Sequence, residues 1–251
     1  TPMNSSAASD VYKRQHKITS VLHFAALKSV EDSLLSPIKY YETNISGTIS
    51  LLNAMKITNV KNLVFSSSAT VYGQPENLPI DETHRIESIN PYGQTKIIVE
   101  EILSDLVKHD NRWSINSLRY FNPVGAHPSY LIGEDPISTK SKNLMPNIID
   151  VIKGITKKIK IFGNDYDTED GTCIRDYIHI MDLANAHYKS LQFLEKSKGY
   201  NVFNIGTGKG YSVLELINTF ENVTGSEIPK CFVKRRDGDA HSCYADPTKA
   251  R

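Results

Sequence analysis

The order of apolar patterns in this chain predicts an α/β protein with a doubly wound parallel sheet. Three observations carry that prediction. Short apolar runs bounded by polar residues recur at ITSVLHFA (18–25), KNLVFSSS (61–68) and WSINSLRYFN (113–122). Between them lie longer segments with helical periodicity, giving a β-α-β-α-β order that requires parallel strands and crossover helices. Further strand-like runs, KIKIF (158–162) and NVFNIG (201–206), again alternate with helical patterns.

Each element has its own signal. The first helix is expected from about Pro37 to Lys56, with Ser36 as N-cap and Pro37 at N1. Ile38, Tyr41, Ile45, Ile49, Leu52 and Met55 are expected to form its apolar stripe. The second strand, 61–68, ends in three serines, and a loop with Pro75 and Pro79 follows. Asn90 and Pro91 then open a second helix. The third strand is halted by Pro123, after which Gly125, Pro128, Gly133 and Pro136 mark a long connection. A helix is expected near 143–154. CIRDYIHI leads into a helix from about Met181 to Glu195, and Ser212 with Glu215 forms a capping box before VLELINTF.

Composition narrows the class. The chain has 251 residues, 39% of them hydrophobic and 23% charged, enough for a sizeable core. A net charge of +1 gives no field for nucleic acid. The longest apolar stretches, such as SVLHFAAL, are too short to span a membrane. Cys173, Cys231 and Cys243 are scattered without metal-ligand spacing, which suggests reduced thiols, a cytoplasmic location and no metal site. The first fifteen residues, TPMNSSAASDVYKRQ, are polar and aperiodic; they are set aside as a non-native scar or disordered segment.

The chemistry centres on PYGQTK (91–96). Tyr92 and Lys96 lie one helical turn apart, on the face that carries Val99 and Leu103, so both point inward. An inward lysine needs a partner, because buried lysine is poorly tolerated. A nearby ammonium favours the phenolate, so the pair is expected to lower the pKa of Tyr92 and make a proton carrier near neutral pH. Ser66–Ser68 bring hydroxyls to the carboxyl edge of the sheet, where open α/β proteins place ligands. GTGKG (206–210) also follows a strand and opens a helix, but its G-x-G-x-G spacing is not that of a dinucleotide loop.

Serine strand and Tyr-x-x-x-Lys helix together resemble the short-chain dehydrogenase/reductase superfamily. HFAALKSV, SSSATVYG, NPYGQTK, LRYFNPVGAHPS, GEDP, NLMP, IFGNDYDTEDGTCIRDYIHIMDLA, FNIGTG and RRDGD, in that order, resemble the UDP-glucose 4-epimerases among its extended members. The match runs from His16 to Arg251. It implies a Rossmann-like sheet with a smaller C-terminal mixed α/β lobe for the substrate. Residues 16–122 would be the remainder of the NAD-binding domain. Residues 123–251 would be mainly the UDP-sugar lobe, with strands returning to the main sheet near 172–206.

The resemblance also implies roles. The reaction is C4 epimerisation of UDP-glucose and UDP-galactose in galactose metabolism, through a 4-keto intermediate and with NAD retained. Tyr92 would be the base, Ser68 its hydrogen-bonding or shuttling hydroxyl, and Lys96 the residue that binds the nicotinamide ribose and tunes Tyr92. Phe24, Ala25, Ala26, Leu27, Lys28, Asn44, Ser66 and Phe121 would complete the NAD contacts. Substrate would meet Ser68, Asn122, Asn143, Leu144, Lys160, Ile161, Phe162, Arg175, Tyr177, Arg236, Asp239 and Cys243, with Arg175 and Arg236 on the diphosphate. The resemblance implies a homodimer. It makes Cys243 a gate small enough to admit N-acetylated sugars. Arg175 could instead form a surface ion pair with Asp176.

Two alternatives stay open from the residues alone: a related dehydratase or decarboxylase, and a non-catalytic NAD sensor. A dehydratase is expected to carry an acid–base pair where this chain has Ala69 and Thr70. A sensor is expected to lose the tyrosine that this chain keeps. The family's first βαβ unit, with its glycine-rich pyrophosphate turn, has no counterpart in the 251 residues. The expectation is therefore of a fragment truncated at both ends, inactive as it stands, whose intact parent is the isomerase.

Overall fold

A computed structural model describes residues 18–134 and 143–251. The expectation for residues 1–15 lies outside them. The main sheet is parallel, in the order β1-β2-β3-β7: Ser20–His23, Asn62–Ser68, Ser114–Tyr120 and Gly199–Ile205. Alternation along β2 sends its side chains to two different cores. Leu63 and Phe65 face Leu52, Met55, Val99, Leu103 and Trp113. Val64 faces the other way, with Leu118, Ile178, Leu183, Leu194 and Ile205. Helices on both faces make the arrangement doubly wound.

The helices differ from expectation in one place. Val30–Leu35 forms a short helix, α1, capped by the Ser29 side chain. The next helical run, Pro37–Ile57, is not a single α-helix. It consists of α2 (Pro37–Tyr41), a π-helical turn (Glu42–Ser46) and α3 (Gly47–Ile57), and the Ser36 side chain makes no capping bond. The wider turn rotates the buried face. Tyr40, Asn44, Thr48, Leu52 and Met55 point inward, while Ile38 is 80% exposed and Ile49 42%. Of the expected stripe, Leu52 and Met55 are core residues and Ile45 packs against them, whereas Ile38 and Ile49 turn to the surface; across the π turn the buried face runs instead through Asn44 and Thr48.

Helix α4 (Pro91–His109) begins as the sequence indicates. The Asn90 side-chain oxygen Oδ1 accepts from Gly93 N at 2.8 Å, and Pro91 sits in the first turn. The third strand is split: β3 ends at Tyr120, and Asn122–Val124 forms β4 in a second sheet. Pro123 therefore lies within β4, at the edge of that sheet, where a missing N–H does no harm. CIRDYIHI contributes a full strand, β6 (Ile174–His179), at the centre of the second sheet. Helices α5 (Leu144–Ile152) and α6 (Ile180–Lys196) flank β5 (Ile159–Phe162) and β6 in sequence.

The second sheet runs β10-β6-β4, with β8 (Gly210–Ser212) antiparallel on β6 and β10 at Ser242–Cys243. β5 pairs with β9 (Lys230–Val233), over a core of Ile148, Val151, Ile159, Ile161, Ile217 and Ile228. Ile217 comes from α7 (Val213–Thr224), which the expected Ser212–Glu215 capping box opens. Of the strands expected to return to the main sheet near 172–206, β7 joins it and β6 does not.

Candidate active site

A cleft of about 350 Å³ opens beyond the carboxyl ends of β2 and β3. Ser68 ends β2, and its Oγ accepts from Thr70 N at 3.2 Å and Thr70 Oγ1 at 2.9 Å. The turn carrying Thr70 meets the first turn of α4 closely. A Cβ on Gly93 would stand 2.8 Å from the Thr70 carbonyl oxygen and 2.1 Å from Ser88 Oγ, so only glycine lets Tyr92 approach Ser68 here.

Tyr92 and Lys96 are both buried, as the inward face requires. Lys96 Nζ donates to the Ser66 carbonyl oxygen at 2.6 Å. It lies 4.8 Å from the Phe65 ring centroid and 5.8 Å from that of Tyr92. The expected lowering of the Tyr92 pKa is not what the environment produces. Burial pushes the phenol above its ordinary value, with the Ser68 side chain offsetting part of the rise. Burial also pulls Lys96 down to about 8, which the Glu100 carboxylate opposes. Desolvation thus outweighs the mutual help of the pair.

The opposite wall carries positive charge. Arg175 projects from β6, its Nη1 donating to the Ile174 carbonyl at 2.8 Å and its Nη2 lying 3.7 Å from Asp239. Arg236 stacks 4.1 Å over the Phe162 ring, with Nε 4.0 Å from the same carboxylate. Arg236 Nε is buried and makes no hydrogen bond among the described residues. Two guanidiniums facing one carboxylate leave an unmatched positive charge, which suits a phosphate-bearing ligand. The surface pair of Arg175 with Asp176 does not form. Asp176 is fully buried and accepts from Thr207 N, Thr207 Oγ1, Gly208 N and Ala245 N. Within GTGKG, the Thr207 and Gly208 N–H groups are thus turned to Asp176, and Lys209 N donates to Thr207 Oγ1.

The cleft brings together Lys28, Ser68, Phe121, Asn122, Asn143, Arg175, Arg236, Asp239 and Cys243. Tyr92 and Lys96 sit behind Ser68 and Ser66. Phe162 reaches the cleft through Arg236, and Tyr177 sits on β6 two residues beyond Arg175, paired in register with Asn122. Phe24, Ala25, Ala26, Leu27, Leu144, Lys160 and Ile161 do not line it; Ile161 is a core residue. Phe24 instead packs on His187, with centroids 4.8 Å apart. Asn44 is committed within the chain: it accepts from Leu27 N at 2.8 Å and donates to Leu27 O and Thr95 Oγ1, which anchors the 24–28 turn to the π-helical turn. The Cys243 thiol is pushed up to about 11 by burial, so it is a pocket wall and not a nucleophile.

Other residues of the cleft carried no sequence signal of their own: Tyr120 and the start of α1. Tyr120 is the most readable in hindsight, as the last residue of a strand ending at the cleft. Among the described residues no group of three or more His, Cys, Asp or Glu side chains is placed to hold a metal. No helix there is long and apolar enough to cross a membrane.

Residues 2–206 match the model of the "NAD dependent epimerase/dehydratase family". The chain belongs to that family. Among its relatives is the UDP-glucose 4-epimerase of Bacillus subtilis (strain 168), 52% identical over 94% of this chain and 70% of the relative. The structure of the UDP-glucose-4-epimerase from Stenotrophomonas maltophila, with bound NAD and formylated UDP-arabinopyranose, matches with a TM-score of 0.94 and 48% identity. That match covers 98% of this chain and 73% of the other. The Bifidobacterium longum enzyme, in complex with NAD+ and UDP, gives a TM-score of 0.94 at 46% identity, with the same coverage.

Lys96 and Phe121 have the chemistry that the nicotinamide end of NAD would need. The Lys96 ammonium has three donors, and Ser66 takes one, leaving donors for a ribose diol. Phe121, 5% exposed and lining the cleft, supplies an apolar face.

Proposed function

We propose that this chain carries the catalytic centre of an NAD-dependent UDP-hexose 4-epimerase, an isomerase of UDP-glucose and UDP-galactose in galactose metabolism. One observation carries the reading: Ser68, Tyr92 and Lys96 converge at the end of β2, beside a cleft whose far wall bears Arg175 and Arg236. The guanidiniums hold the diphosphate and place the hexose against Ser68. Tyr92, with Ser68, takes the proton from the C4 hydroxyl and later returns it. Bound NAD supplies the hydride acceptor and donor. The ketose turns over in the cleft between the two transfers, so the C4 configuration inverts. Because burial holds Tyr92 as a phenol, the base form depends on the Lys96 ammonium and the Ser68 hydroxyl. Residues Ala69 and Thr70 offer no acid–base pair for elimination, and Thr70 is engaged with Ser68. That favours epimerisation over the dehydratase and decarboxylase alternatives.

The remaining assignments belong to the same proposal. Lys28 and Phe121 serve NAD; Asn122, Asn143, Phe162, Asp239 and Cys243 serve the UDP-sugar. The protein works in the cytoplasm as a homodimer, for which the apolar groove lined by Ile49, Leu52, Ile102, Leu106 and Trp113 is a suitable face. The test uses UDP-galactose deuterated at C4. UDP-glucose bearing the label at C4 supports the proposal. Elimination product, or no interconversion with NAD bound, overturns it.

A further inference from the structure

The stripe that carries Tyr92 and Lys96 has a third member. Glu100 lies four residues beyond Lys96 and eight beyond Tyr92, on the same face of α4. It is 6% exposed and does not line the cleft. Its Oε1 accepts from Ser67 Oγ at 2.5 Å and from Arg119 Nε at 3.0 Å, and its Oε2 from Arg119 Nη2 at 2.5 Å. Arg119, on β3, is 2% exposed and also donates to Tyr72 OH at 2.9 Å. A buried ion pair is weak evidence for stability, since apolar residues of like volume often serve as well. The pair here has another consequence.

It fixes a register between helix and strand. Lys96 grips the Ser66 carbonyl, and Glu100, one turn on, grips the Ser67 hydroxyl. The next residue of β2 is Ser68, and the preceding turn of α4 carries Tyr92. Successive turns of one helix thus hold successive residues of the strand that presents the reacting hydroxyl. Glu100 is also the carboxylate whose field supports the Lys96 ammonium against burial. The other groups around Lys96 are Tyr92 on its own helix, His23 on β1 and the Phe65 ring on β2. Tyr120 on β3 faces Tyr92, and Arg119 faces Glu100.

We propose that Glu100 is a positioning residue for the proton transfer: it keeps Lys96 charged and pins β2 so that Ser68 meets Tyr92. The proposal rests on the reading of Tyr92 and Lys96 given above and deepens it. The experiment follows the Lys96 Cε resonance against pH in 13C-lysine-labelled protein, assigned by its loss in Lys96→Met. Glu100→Gln should lower the Lys96 midpoint by roughly one pH unit, and Glu100→Asp should restore most of it. Glu100→Gln leaves Arg119 buried without its partner and can fail to fold. The double variant Glu100→Gln/Arg119→Met leaves no orphaned charge and should fold, with the Lys96 midpoint still below wild type. In the epimerase assay the alkaline limb of kcat should move down with that midpoint, while KM for the UDP-sugar stays put. A folded double variant with an unmoved midpoint and alkaline limb overturns the role of Glu100. Wild-type protein that holds NAD but gives no interconversion, with a Lys96 midpoint that follows Glu100, instead faults the epimerase reading and supports the electrostatic role.

Discussion

At the scale of single residues, the site works by setting burial against a few polar contacts. Tyr92 is kept a phenol by its desolvation, which the Ser68 side chain offsets in part. Tyr92→Phe keeps the ring packing and removes the proton carrier. It should lower kcat by roughly 10²–10⁴-fold and leave UDP binding, read by calorimetry, unchanged. Cys243 tests the breadth of the pocket. Its small side chain lines the cleft next to Arg175 in the β10–β6 register. If it admits an N-acetyl group, Cys243→Tyr should selectively reduce kcat/KM for UDP-N-acetylglucosamine while sparing UDP-glucose. The candidate pair Tyr92 and Lys96 was readable from spacing and a helix start. The partner of Arg175 was not, because Asp239 is far away in sequence and Asp176 adjacent; only the fold turns Asp176 into the protein.

Elements place these residues, and their joints are testable. Gly93 trades helix propensity for a close approach to the Thr70 carbonyl. Gly93→Ala, which would favour an isolated helix by about 1 kcal/mol, should instead lower both Tm and kcat. β1 is tied to α3 by His23, whose Nε2 lies 2.8 Å from Thr48 Oγ1. The Thr48 hydroxyl donates to Asn44 O, so it accepts from a neutral His23 that carries its proton on Nε2. Burial first, and the Lys96 charge second, lower the His23 pKa from 6.5 to about 4. The unfolded chain therefore binds more protons between those values. Stability is complete above about pH 6.5 and falls as pH drops through the window, by up to about 3 kcal/mol from this group. His23→Gln keeps a donor for Thr48 and should flatten the denaturation midpoint between pH 4 and 6.5. His187, also lowered by burial, leaves some slope. The π-helical turn was invisible to periodicity, since one extra residue moves an apolar stripe without changing composition.

On the scale of the whole molecule, function depends on how two sheets meet. The main sheet delivers Ser68 and its helix α4; the second delivers Arg175 and Cys243. Asp176 holds the second sheet to the rest, joining the 207–208 loop to the strand end at Ala245. Several donors converge on that buried carboxylate, and hydrogen bonds to charged groups are worth about 1.5–3 kcal/mol each. Asp176→Asn replaces an acceptor oxygen with a donor. It should lower stability by about 2 kcal/mol or more and raise KM for the UDP-sugar, read by thermal unfolding and steady-state kinetics.

By itself the sequence determined the parallel order of strands and crossover helices, the capped start of α4 and the inward Tyr92–Lys96 pair. These are local: each follows from apolar period, a cap or an i,i+4 spacing. Tertiary structure alone decided which charges face each other. It moved Asp176 from the surface into the interior, gave Arg175 and Arg236 a shared carboxylate, and split the third strand so that Pro123 could sit at a sheet edge. It also set Glu100 against Arg119 beneath the site. Burial set the direction for Tyr92, Lys96, His23 and Cys243, and burial depends on everything packed around a residue, which no local window contains.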